Sequence, residues 1–306
     1  MPAAQPAIKA LMLGSILSWQ AALVVDGVRT DNLASAHNSE LVELAEQDKL
    51  CPDLGKVTKW VGAGGNAYVL KFIKKCGPIE KGTVAKAFID KSYRDESVET
   101  LEKLPKTPVL AGLVDAGIGG ELEDKCYHAK GDCCDSWKHD DKCYFMLMKN
   151  GGSKTLEQCL ELPGPDVPNL VLAAINALQQ IHATGFYHND YQMKNLMTDS
   201  SCSPASLKVV DIDDMNNREG KPNDYWNKSH RMFRDFAMLL GVCDMGALPV
   251  NEFNYVDSKE KAVAAKVLAA AKEVMDSHCR TSQTMQSQEI ADMGSQLAQK
   301  IAGLTK

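Results

Sequence analysis

Residues 185 to 198 read "GFYHNDYQMKNLMT", and three side-chain types there carry chemistry: His188, Asp190 and, five residues after the aspartate, Asn195. Sixteen residues further on, Asp211 ends the apolar run "LKVV". Two carboxylates and an amide on neighbouring loops suit one task, which is to hold a divalent cation and orient a hydroxyl nucleophile. Taken singly, each reads as a turn residue or a helix cap. Upstream, "GAGGNAYV" places Gly62, Gly64 and Gly65 between two strand-like runs. Glycines there let backbone N–H groups approach phosphate oxygens closely, although many hairpins are glycine-rich for no such reason. A dinucleotide fold would open a helix after this loop, whereas here a strand follows. Lys86 lies in "TVAKAF", inside an apolar strand. It needs a buried partner, or else it sits on the wet face of an edge strand.

The elements that must position these groups follow from periodicity. "GKVTKWVGAGGNAYVLKFIK" (55–74) alternates around its glycines as a strand–turn–strand hairpin, and "KGTVAKAFID" reads as a third strand. "YRDESVETLEKL" reads as a helix stopped by Pro105, with its inward position near residue 97. Strand-like runs recur at "VLAGLVDAGI" and "CYFMLMK". From Asp166 onward Leu170, Val171, Ala174, Ile175, Leu178 and Ile181 repeat at the helical period, and Gly185 ends the run. Short strands follow at Leu196 and "LKVVDID", and the chain beyond about 230 is helical by pattern, as in "KAVAAKVLAAAKEVM". The expectation is an α+β fold: a leader over 1–30, a strand-rich part over 31–149 with an N-terminal helix ("NSELVELAEQDKL"), and a helical part over 150–306. "KNGGSK" connects the last two, and a cleft between two such lobes is where a small ligand binds.

At 306 residues, 44% hydrophobic and 24% charged, the chain can bury a real core and is not a disordered polymer. Its net charge of −6, with no Lys/Arg-rich run, argues against a nucleic-acid partner. Ten cysteines are many, and Cys126, Cys133, Cys134 and Cys143 cluster within 126–143. Disulfides in an oxidising compartment are favoured. His128 and His139 in the same stretch keep zinc open, as are inert thiols. "IKALMLGSILSWQAALVV" resembles a secretory leader with a weak positive region, against an amphipathic helix as the plain alternative. Ser15, Ser18 and Gln20 interrupt it, so no stable membrane span is expected. The expected location is the secretory pathway or outside the cell, with the cytoplasm as alternative.

Taken together, glycines between strands, a strand lysine, a helix acid, His-x-Asp-x4-Asn and a strand-ending aspartate stand in an order that resembles the protein-kinase-like fold. The resemblance covers about residues 55 to 242 and implies two lobes, ATP and Mg²⁺ or Mn²⁺. It implies Asp190 as the catalytic aspartate and Lys194 as a nearby catalytic positive charge. It implies Asn195 and Asp211 as the metal-holding pair. Gly62, Gly64, Gly65 and Lys86 would bind the nucleotide phosphates, with Glu96 as the helix acid that pairs with Lys86 and Glu99 next in line. Asp235 resembles the buried aspartate that opens the large C-lobe helix and braces the catalytic loop.

The departures are equally specific. Ala67 replaces the third loop glycine, Asn189 the usual arginine and Gln192 the usual lysine, and "DID" stands for Asp-Phe-Gly. No Ala-Pro-Glu follows, and Asp235 comes only 24 positions after Asp211. "HND" is similar to choline-kinase and aminoglycoside-phosphotransferase enzymes, which act on small molecules. "VVDIDD" with the cysteines resembles cysteine-rich secretory-pathway kinases, which act on proteins or glycans. The acceptor is thus a hydroxyl on a protein, a glycan or a small molecule. A nucleotide-binding scaffold without turnover is the rival from another class.

Overall fold

A computed structural model describes residues 57–63, 67–77, 79–88, 90–112, 119–123, 142–220, 227–243 and 258–305. All of these belong to the compact unit Leu44–Lys306. The expected leader, the 38–50 helix and the 126–141 part of the cysteine cluster lie outside the described residues. The fold is α+β. Five antiparallel strands, β1 (Thr58–Ala63), β2 (Ala67–Phe72), β3 (Val84–Phe88), β4 (Gly119–Glu123) and β5 (Lys142–Met148), lie in the order β1-β2-β3-β5-β4. The hairpin and the third strand expected from alternation are β1, β2 and β3. Lys86 sits centrally, with Val69 of β2 on one side and Met146 of β5 on the other. It is therefore not an edge-strand lysine.

Helix α1 (Lys91–Lys103) begins at Asp90, whose carboxylate accepts the Ser92 N–H at 2.8 Å. Its outer face carries the i,i+4 pairs Lys91–Asp95 and Glu99–Lys103, while Ser97 and Leu101 turn inward. The chain then runs alongside the second sheet, which consists of β6 (Lys154–Thr155), β7 (Leu196–Thr198) and β8 (Lys208–Val209). Val209 donates to Val109 at 2.7 Å, and Ala111 donates back to Val209 at 3.0 Å. So the strand expected over 109–118 is, in its described part, a single bridge at Leu110.

The connection at 149–153 is tight. A Cβ on Gly152 would lie 2.3 Å from the Thr198 carbonyl oxygen, so only glycine fits there. After α2 (Leu156–Leu160) comes α3 (Val167–Ala183), capped by Asp166. All six of its periodic apolar residues are buried, and the five larger ones (all but Ala174) each contribute about 1.5–3 kcal/mol. It packs on α4 (Lys228–Leu240), α5 (Ser258–Met275) and α6 (Ser287–Ala302), and these helices with α2 surround the larger hydrophobic core. Disulfides Cys159–Cys202 and Cys243–Cys279 staple this part, and Cys76 is disulfide-bonded as well.

Candidate active site

Strands β7 and β8 pair antiparallel with Leu196 opposite Val209, and Val210 N–H donates to the Asn195 carbonyl at 2.9 Å. The residues just outside this pairing, Asn195 before β7 and Asp211 after β8, therefore leave the hairpin at the same end. Each opens into or closes a single 3-10 turn, Met193–Asn195 and Ile212–Asp214. Asp211 adopts the left-handed conformation at φ 57°, which a short polar side chain tolerates better than a bulky one. That turn swings the chain sharply as it leaves the hairpin.

The loop ahead of β7 is held from below. Asp235, fully buried, accepts His188 N–H at 2.7 Å and Asn189 N–H at 2.9 Å, and its Oδ2 lies 3.1 Å from His182 Nε2. It brings the loop and α3 onto α4, although it sits inside α4 and does not open the helix. Asn189, at φ 76°, uses its side-chain oxygen to accept from Arg231 at 2.9 Å. The His188 ring accepts Asp190 N–H at Nδ1 (3.3 Å), which leaves Nε2 to donate to the Val210 carbonyl at 3.1 Å. This histidine is buried and spans the loop and β8, so its part here is to set the backbone. Asn195 then donates its amide to the Asp190 carbonyl at 2.8 Å and to Asp190 Oδ2 at 3.0 Å. Gln192 donates to Asp190 Oδ1, and Lys194 stands 3.8 Å from Oδ2 with more than half of its side chain exposed.

Lys86 Nζ lies 2.6 Å from Asp211 Oδ1 and 2.7 and 2.8 Å from the two oxygens of Asp213. Ser97 of α1 adds a hydroxyl donor 3.2 Å from Asp213 Oδ2. Burial works against the lysine's charge, but Asp213 and then Asp211 outweigh it and hold the ammonium above the ordinary lysine range. Burial likewise opposes ionisation of Asp211, and the adjoining Lys86 more than offsets it, leaving the carboxyl below its usual range. Asp214 next door shifts the other way, through burial and the charges of Asp213 and Asp211.

The expected residues are thus partly brought together. Lys86 and Asp211 meet, and Asp190 and Asn195 meet beside them. The expected helix acid does not take part: Glu96 is exposed, and Glu99 pairs with Lys103 on the outer face. Helical spacing did place residue 97 inward, but that residue is a serine. Asp213, whose side chain is only 9% exposed, makes the contact with Lys86 instead. Its signal was the i,i+2 repeat in "DID", which no local rule ties to Lys86. Gly62 lies in β1 beside an irregularity of its pairing with β2, and a Cβ there would meet nothing within 4 Å. Gly64 and Gly65 lie outside the described residues.

Among the described residues no group of three or more His, Cys, Asp or Glu side chains is arranged to hold a metal ion. The oxygen donors that leave the hairpin at this end are the Asp211 carboxylate, 39% exposed, and the Asn195 amide oxygen, whose nitrogen is already committed to Asp190. No protein-family model and no curated protein sequence matches the chain.

Proposed function

We propose that the chain is an ATP-dependent phosphotransferase of two-lobed, protein-kinase-like architecture. Its acceptor is a hydroxyl on a protein or glycan of the secretory pathway. The observation that carries this is the chain of contacts from Lys86 to Asp211, across the hairpin end to Asn195, and on to Asp190. Phosphoryl transfer asks chiefly for positioning and charge neutralisation, and these groups supply both. Asp211 and Asn195 would hold Mg²⁺ or Mn²⁺, which neutralises phosphate charge when bound. Lys86 binds phosphate oxygens, Asp190 orients the acceptor hydroxyl and receives its proton, and exposed Lys194 balances charge at the cleft edge. The disulfides are the chemistry of an oxidising compartment, and none of the described helices is long and apolar enough to cross a membrane.

A scaffold that binds nucleotide without turnover is the second reading, favoured by the exposure of Glu96. A small-molecule kinase on the same fold is the third, favoured by the short segment that places Asp235 only 24 positions after Asp211. The deciding experiment incubates the purified chain with γ-labelled ATP, Mg²⁺ or Mn²⁺, and protein, glycan and small-alcohol acceptors. Cation-dependent label transfer that Lys86→Met abolishes is the expected result. Nucleotide binding without transfer to any acceptor would select the scaffold, and no nucleotide binding would overturn the reading.

A further inference from the structure

We propose that Asp213 is the positioning residue for Lys86, and that Ser97 ties this carboxylate to α1. The lysine is thereby set from the "DID" turn and not by an acid of the helix. Lys86 makes its bidentate contact with Asp213, at 2.7 and 2.8 Å, and a single one with Asp211. The two acids differ in what else they can do. Asp213 has a 9% exposed side chain and a third donor from Ser97, so its oxygens are committed inside the protein. Asp211, 39% exposed, keeps an oxygen available to a cation. One acid of the pair therefore holds the lysine and the other is left for the ligand.

The consequence for the helix is direct. In place of a long acidic side chain reaching the lysine, α1 presents Ser97, whose hydroxyl touches the acid that touches the lysine. The position of α1 is read through one added hydrogen bond, a weaker coupling than an ion pair. This part of the proposal rests on the phosphotransferase reading, because only there does Lys86 meet phosphate. The Lys86–Asp213 assignment does not rest on it.

Two measurements on the full chain separate these. The first is a double-mutant cycle on thermal stability that uses no nucleotide. Lys86→Met and Asp213→Asn should each lower Tm by several degrees, and the double variant should fall no further than the worse single one. Lys86→Met and Glu96→Gln should add independently. Additivity for Asp213, or coupling for Glu96, overturns the assignment. The second titrates Mg·ATP. Asp213→Asn should weaken binding about tenfold, on the scale of a lost partner around a ligand site. Ser97→Glu in that background, which returns a carboxylate from α1, should restore most of it, whereas a purely structural lesion would not be rescued. Unchanged Mg·ATP affinity in Asp213→Asn overturns the positioning role. If the wild-type chain binds no Mg·ATP, the phosphotransferase reading falls, and the cycle alone decides the Lys86–Asp213 pairing.

Discussion

Asn195 holds Asp190 by two hydrogen bonds from one amide nitrogen, at 2.8 Å to its carbonyl and 3.0 Å to Oδ2. The carboxylate is therefore fixed by its own loop, with 30% of its side chain exposed and no described cation nearer than Lys194. A group so held contributes little to the core, and under the phosphotransferase reading it faces the acceptor.

Replacing Asp190 should accordingly harm turnover far more than binding. Positioned proton transfer contributes about 10²–10⁴-fold, so Asp190→Ala should lower the transfer rate by roughly that factor. ATP affinity and Tm should change little. Steady-state kinetics beside calorimetric nucleotide titration check both halves, and a variant that matches wild type in every transfer assay would make Asp190 structural.

Asp211 and Asp214 should behave oppositely. Asp211→Asn removes a carboxylate from the proposed cation site and should cost at least about tenfold in Mg²⁺-dependent nucleotide binding. The Lys86 ammonium is taken up by Asp211 and Asp213 and not by Asp214, so Asp214→Asn should retain most of that binding. Titrations with and without Mg²⁺ distinguish them, and the reverse pattern would assign the cation to the far end of the turn.

Asp235 should matter for folding. Asp235→Ala leaves the His188 and Asn189 amides without their acceptor, and each buried donor so orphaned costs about 1–3 kcal/mol. The expected result is a cooperative transition at markedly lower denaturant, with activity lost alongside. Chemical unfolding of both proteins measures it, and an unchanged midpoint would contradict the bracing role.

The Cys159–Cys202 bridge closes a separation of 43 residues between α2 and the turn after β7. Loops of this size lose about 2–5 kcal/mol of stability when opened. Reduction should therefore lower Tm by several degrees or more, and thiol counting on protein from its native source should find Cys159 and Cys202 oxidised. Free thiols at both would argue against an oxidising compartment.

His230 predicts acid sensitivity. Burial first, then Arg231 and Arg234, push its pKa below the ordinary histidine value, and its Nδ1 meets the buried Ser282 hydroxyl at 3.1 Å. The unfolded chain thus binds more protons, so stability is retained above about pH 6.5 and falls as pH drops through that value toward the folded pKa. His230→Gln should flatten this slope in denaturation curves taken from pH 7.5 to 5, and an equally steep slope would exclude the histidine as its source.

What was legible in the sequence is what depends on near neighbours. The buried face of α3, the strand pairing around Lys86, the inward turn of residue 97 and the spacing of Asp190 from Asn195 are all local consequences of helical or strand period and turn chemistry. Partner choice is of another kind. Lys86 and Asp213 are 127 residues apart, and four acids of α1 were nearer in sequence to the lysine than the one that holds it. Only the packing of α1 against the "DID" turn decides between them, because a carboxylate reaches a buried ammonium from whichever element lies within hydrogen-bond distance. The disulfide partners were decided in the same way: cysteine count argued for bridges, but Cys159 meets Cys202 because β7 pairs with β6 immediately before α2.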